Sequence, residues 1–208
     1  MKINYALCLV TDNEISVKKI LNRFKNGVEP GITAVQLRMK NSGIKEVMQT
    51  ARKLIKVLTP LKIPLIINDY IEAVKITGAA GVHIGQRDVP YQQARDYLGK
   101  DSIIGLSIEN EAQAEACCHF DADYFGAGPV FITHTKLDAP PPIGIVQLQN
   151  IVTLFSKISK PVVAIGGIHE KNIRQIVQTG VAGVAVASAI LFADYPRRVI
   201  SKLREQAL

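Results

Sequence analysis

With 208 residues, 48% of them hydrophobic and 21% charged, the chain reads as one globular domain spanning 1–208. A chain of this length buries roughly 70% of its unfolded surface and needs no disulfide or structural metal for its core. The net charge of +7 favours anionic partners, yet the basic residues are scattered. The densest group, Arg197-Arg198 to Arg204, reads as the solvated face of a final helix, so nucleic acid is not expected as a partner.

The first apolar run, ALCLV, is closed by Asp12 and Asn13, which argues against a secretory leader. It opens a series of short β-branched runs: Tyr5–Val10, Ala34–Leu37, Pro64–Ile67, Gly81–Ile84, Ile103–Leu106, Asp123–Phe125, Pro161–Ile165 and Gly183–Val186. Between them the spacing turns helical. Val17, Ile20, Leu21 and Phe24 fall at i, i+3, i+4 and i+7, and Val47, Leu54, Ile55 and Leu58 keep the same period. Eight such units in one compact chain predict a closed (β/α)8 TIM barrel rather than an open doubly wound sheet. The apolar stretch from Val181 to Ala193 is too short to span a bilayer. Cys8, Cys117 and Cys118 form no CxxC pair and read as reduced thiols, which points to the cytoplasm.

Glycines gather where the strands finish, at Gly85, Gly105, Gly126, Gly128, Gly166 and Gly167. Turns alone could require them, but close approach of backbone to a ligand at the carboxyl ends of barrel strands would too. The longest connection, GPVFITHTKLDAPP from Gly128, precedes helical periodicity near Ile143 and is stiffened by Pro140, Pro141 and Pro142.

Candidate chemistry follows the strands. In VQLRMK, alternation puts Gln36, Arg38 and Lys40 on one face and Val35, Leu37 and Met39 on the other. The polar set then faces the barrel mouth as an anion site, or as an internal ion pair. Asp69 ends IINDY and Asp88 ends VHIGQRD. On neighbouring strands they can converge on Mg2+, which takes one or two protein carboxylates, although each could equally serve as a turn or cap residue. Ser107 ends the fifth run and alone reads as a helix cap. Thr133, His134, Thr135 and Lys136 place two hydroxyls and an ammonium in one loop, a phosphate cradle or simply a polar loop. Gly166-Gly167 and Ala187-Ser188 follow strands seven and eight, where barrels commonly hold phosphate. His83, His119, His134 and His169 show no metal-ligand spacing, and His83 reads as a satisfied histidine on strand four.

Taken together, QLRMK, NDY, GVHIGQRD, GLS, GPVFITHTK, AIGGI and VASAI, in that order, resemble the thiamine phosphate synthase family along nearly the whole chain. The resemblance implies a transferase that condenses 4-amino-2-methyl-5-(diphosphooxymethyl)pyrimidine with 4-methyl-5-(2-phosphooxyethyl)thiazole and releases pyrophosphate. It implies that Gln36, Leu37, Arg38, Met39, Lys40, Asn68, Ser107 and Lys136 bind the pyrimidine diphosphate and that Asp69 and Asp88 hold Mg2+. Thr133, Thr135, Gly167, Ala187 and Ser188, with His134 in the same loop, would bind the thiazole phosphate. Arg38, Lys40 and Lys136 would act catalytically by neutralising the departing pyrophosphate. Met39, Ile132 and Ala187 depart from the residues usual in the family. The implied mechanism is dissociative: the pyrimidine's amino group supports a carbocation, and the thiazole nitrogen captures it without a general base. A thiazole tautomerase and a non-catalytic thiazole-phosphate binder are the rival readings, but neither has a use for a metal–diphosphate site.

Overall fold

The computed structural model describes residues 3–12, 17–25, 31–133, 135 and 139–207. Eight strands close into a parallel barrel in sequence order: β1 (Leu7–Val10), β2 (Ala34–Leu37), β3 (Leu65–Asn68), β4 (Gly81–Ile84), β5 (Ile103–Ile108), β6 (Tyr124–Ala127), β7 (Val162–Ile165) and β8 (Gly183–Val186). The closing pair, β1 with β8, is parallel like the others. Around them run α1 (Val17–Lys25), α2 (Ile44–Leu58), α3 (Ile71–Thr77), α4 (Tyr91–Leu98), α5 (Glu111–Cys117), α6 (Gly144–Ser156), α7 (Ile173–Val177), α8 (Ser188–Leu191) and α9 (Pro196–Ala207). The expected barrel is therefore present. Strands two, four and eight have the expected bounds, whereas β5 runs two residues further and takes Ser107 into the strand.

Alternation along each strand builds two cores. Outward-facing Leu7, Leu9, Val35, Leu37, Leu65, Ile67, Ile104 and Phe125 pack with Val47, Leu54, Leu58, Leu148, Ile151 and Phe155 of the helices in one continuous apolar layer. Each such aliphatic residue contributes about 1.5–3 kcal/mol through burial. Phe125 and Phe155 stack with ring centroids 3.9 Å apart. The inward face is narrower and filled by a smaller set, Cys8, Val10, Ala34, Tyr124, Val163 and Ala185. Cys8 is a buried free thiol, as expected for a small core residue.

Gly105 corrects the sequence reading of strand-end glycines. It lies inside β5 rather than beyond it, and a Cβ there would sit 2.2 Å from the Tyr124 ring. The position makes room for an aromatic residue in the barrel interior and does not line the mouth. Gly105→Ala should therefore overpack the interior and lower stability by about 1–3 kcal/mol, read from urea denaturation. Wild-type stability in that variant would contradict this packing.

Candidate active site

At the carboxyl ends of the strands lies a cavity of about 260 Å³. The end of β2 forms one wall. Gln36, Arg38 and Lys40 line the cavity, as alternation requires. Leu37 and Met39 do not; Leu37 is 1% exposed in the outer core, and Met39 packs against that core. The strand end is fixed to β1, because the Arg38 N–H donates to Thr11 Oγ1 (2.9 Å) and that hydroxyl donates to the Arg38 carbonyl (3.2 Å). Arg38 is half-buried, and its guanidinium has no carboxylate partner among the described residues. The internal ion pair that could have explained it is absent there.

A polar chain leads from this wall to the acids. Gln36 Nε2 donates to Asn68 Oδ1 (2.8 Å), and Asn68 in turn hydrogen-bonds the Asp69 carboxylate. Asp69 adopts φ +68°, and across it the Tyr70 N–H donates to the Asn68 carbonyl (2.9 Å). This is a γ-turn in the left-handed region, a strained conformation costing of order 1–3 kcal/mol for a residue other than glycine. It turns the carboxylate toward the mouth. Asp69 does not cap α3, whose N-cap is Tyr70. Asp88 is held by the Gly85 N–H, which donates to its Oδ2 (2.7 Å).

The two carboxyls lie within hydrogen-bonding reach of each other. Burial, then the hydrogen bond and charge of Asp88, raise Asp69 to about 6, although Lys40 Nζ stands 3.8 Å away and opposes the rise. Asp88 moves down: burial works against this, but the hydrogen bond with Asp69 and the Gly85 N–H prevail. The pair thus shares a proton below about pH 6. Two carboxylates brought together this closely beside an ammonium form a ready cation site.

Ser107 points inward to the cavity floor, where its Oγ lies 2.9 Å from His83 Nε2. It caps no helix, because Asn110 caps α5. The opposite wall brings Thr133, Thr135, Gly166, Gly167, Ala187 and Ser188 to the same cavity. Gly167 has φ +64°, and a Cβ there would meet the Ile132 carbonyl oxygen at 2.6 Å, so only glycine fits this approach. His134 and Lys136 lie outside the described residues. Gly85 and Gly128 line the mouth as the strand-end reading expected, whereas Gly126, which also lines the cavity, lies inside β6. Sequence reasoning missed the functional placement of His83 and the partnership of Tyr124. Inward alternation from Gly81 on β4 was the available signal for His83, while Tyr124 needed the register that pairs it with Gly105.

A carboxyl raised to about 6 binds its proton more tightly folded than unfolded, so Asp69 lowers stability at pH above 6 and not at pH below about 4. Asn also adopts positive φ readily. Asp69→Asn should therefore stabilise the metal-free protein by about 1 kcal/mol at pH 8, after allowance for partial exposure and the opposing shift of Asp88. The gain should fade between pH 6 and 4. Denaturation in the presence of a chelator checks this; destabilisation at pH 8 would overturn it.

Comparison with known proteins completes the description. A family model for thiamine monophosphate synthase matches residues 7–190. A thiamine-phosphate synthase of Syntrophomonas wolfei is 40% identical over 203 residues, covering 97% of this chain and 96% of that protein. One of Clostridium novyi is 40% identical over 195 residues, covering 93% and 94%. The solved thiamine phosphate pyrophosphorylase of Pyrococcus furiosus superposes with a TM-score of 0.84 at 30% identity, covering 99% of this chain and 96% of that one. Family match, similarity over almost the full length and a shared barrel agree: the chain belongs to the thiamine monophosphate synthase family.

Proposed function

We propose that the barrel mouth carries out the family's condensation by gripping a diphosphate against the β2 wall and a phosphate monoester against the β7–β8 wall. The activity is that of a thiamine-phosphate synthase, a transferase joining the pyrimidine diphosphate to the thiazole phosphate with release of pyrophosphate. The observation that carries the site assignment is the half-buried Arg38 guanidinium with no carboxylate partner among the described residues, facing the same cavity as the paired carboxylates of Asp69 and Asp88. A cation kept from its own protein's acids is suited to an anionic ligand. Resemblance adds Lys136.

In this reading Gln36, Arg38, Lys40, Asn68 and Ser107 hold the pyrimidine diphosphate, with the strand backbone at Leu37 and Met39 behind them. Asp69 and Asp88 would hold Mg2+; two hard oxygen donors suit an ion that fills its other positions with water and phosphate oxygens. When bound, the metal would neutralise negative charge on the diphosphate. Arg38 and Lys40 do the same from the protein side, and they are preorganised before the reaction begins. Thr133, Thr135, Gly167, Ala187 and Ser188, with His134 in the loop, anchor the thiazole phosphate. That anchoring holds the thiazole nitrogen in line with the pyrimidine methylene carbon. The nitrogen carries no proton, so the site needs no general base.

The barrel over 1–208 is proposed as a single catalytic domain, acting in the cytoplasm on small-molecule substrates. Three free cysteines agree with a reducing compartment. No helix of the described residues is long and apolar enough to cross a membrane. The tautomerase reading remains the weaker one, since an isomerase of the thiazole alone gives no role to the β2 wall and the acids.

The test is pyrophosphate release with both substrates, with and without Mg2+. Release should require all three components, and release without metal would refute the metal assignment. Lys40→Ala should lower turnover by roughly 10²- to 10³-fold at saturating substrate. Unchanged turnover would remove Lys40 from the proposed machinery.

A further inference from the structure

Beneath the cavity floor, two bulky polar side chains occupy space that two glycines leave for them. A Cβ on Gly105 would lie 2.2 Å from the Tyr124 ring, and one on Gly126 would lie 2.9 Å from His83 Cε1. Tyr124 is 6% exposed and His83 is 9% exposed. His83 Nδ1 lies 2.9 Å from the Tyr124 hydroxyl, and Nε2 lies 2.9 Å from Ser107 Oγ. Of the three, His83 and Ser107 reach the cavity surface, and Tyr124 sits behind them.

Proton directions follow from counting donors and acceptors. Neutral imidazole has one nitrogen that donates and one that accepts. Among the described residues the Tyr124 hydroxyl has one hydrogen-bond partner, His83 Nδ1. Burial pushes the phenol well above its ordinary pKa, so it keeps its proton. Were Nδ1 the protonated nitrogen, the phenol would have to accept, and its own proton would be buried without an acceptor, at a cost of about 1–3 kcal/mol. An imidazolium meets the same objection, because both of its nitrogens donate. The phenol therefore donates to Nδ1, the ring proton resides on Nε2, and Nε2 donates to Ser107 Oγ. With that contact made, the Ser107 proton cannot point back at His83. Ser107 lines the cavity, so that proton is available to a ligand there.

We propose that Tyr124 and His83 form a one-way hydrogen-bond relay that makes Ser107 a hydrogen-bond donor to the bound substrate. The floor then favours a ligand atom with a lone pair, an unprotonated ring nitrogen or a phosphate oxygen, because the hydroxyl's one proton is left for the ligand while one of its two lone pairs is already engaged. Tyr124 and His83 are positioning residues and Ser107 makes the contact. That the ligand is the pyrimidine diphosphate rests on the function proposed above; the tautomer of His83 does not.

The test uses the full chain labelled with 15N-histidine and long-range 1H–15N spectra without substrate, His83 being assigned by its loss in His83→Gln. The expected result is a single Nε2–H tautomer. Tyr124→Phe should admit the second tautomer. It should also lower kcat/KM for the pyrimidine diphosphate about tenfold, as loss of one oriented hydrogen bond does, with the KM for the thiazole phosphate unchanged. His83→Gln, whose amide can donate from near the Nε2 position, should retain more activity than His83→Asn. An Nδ1–H tautomer in the wild type overturns the relay, as does Tyr124→Phe with tautomer and pyrimidine kinetics both unaltered. Should Tyr124→Phe fail to fold, the wild-type spectrum and the order of the two His83 variants decide. A wild type that releases no pyrophosphate defeats the synthase reading, while the spectrum still decides the relay.

Discussion

Period-two alternation in a closed parallel barrel is the constraint from which the site follows. Each strand must give one face to the helices and the other to a narrow interior, and on β2 this separates Val35, Leu37 and Met39 from Gln36, Arg38 and Lys40. A slip of one residue would bury an arginine and a lysine among the leucines and isoleucines of the outer layer, at prohibitive cost. The hydrophobic effect that closes the barrel is thus also what aims the cations at its mouth. No separate device is needed to place them.

Electrostatics at the mouth work against the metal-free fold. Asp69 is held in a strained turn, its carboxyl raised to about 6 beside Asp88, and Arg38 waits half-buried without an acidic partner among the described residues. Acids and cations could have relieved one another more fully; Lys40 approaches Asp69 only to 3.8 Å. With Arg38 apart from the acids and Lys40 only loosely paired with Asp69, each set is left available to a ligand with the opposite requirement. A diphosphate carrying a divalent cation, the ligand proposed above, would meet both requirements at once. The outer core, continuous around the whole barrel, supplies the stability that tolerates such a site.

Most of this is legible in the sequence because it depends on periods and on residues local to a strand end. The bounds of β2, β4 and β8 follow from β-branched runs, and the facing of Arg38 and Lys40 follows from counting by two. What is not legible depends on register across strands. Gly105 looks like a strand-end glycine until β5 is paired with β6, when it proves to lie beside Tyr124, whose ring occupies the space a side chain would need. Ser107 looks like a cap because the β-branched run appears to stop at Leu106, yet the strand continues to Ile108. The strained turn at Asp69 has no sequence signal of its own, since aspartate at positive φ is the exception and not the rule.

The interior of the barrel is where packing and recognition become one problem. An aliphatic floor would fill the space beneath the mouth more cheaply than a tyrosine and a histidine, which must satisfy every buried donor and acceptor they bring. Two interior glycines give up side-chain packing to admit them. Such a sacrifice is hard to explain by stability alone, because a hydrogen-bonded polar pair in an apolar interior gains little over well-packed carbon. It is explained if the pair fixes the orientation of the serine above. A hydroxyl free to rotate can donate or accept and so discriminates weakly between ligand atoms. Once one of its lone pairs is engaged from below, the hydroxyl's proton is left for the ligand, and the cavity floor gains a preference for a ligand lone pair that a freely rotating serine would not supply by itself.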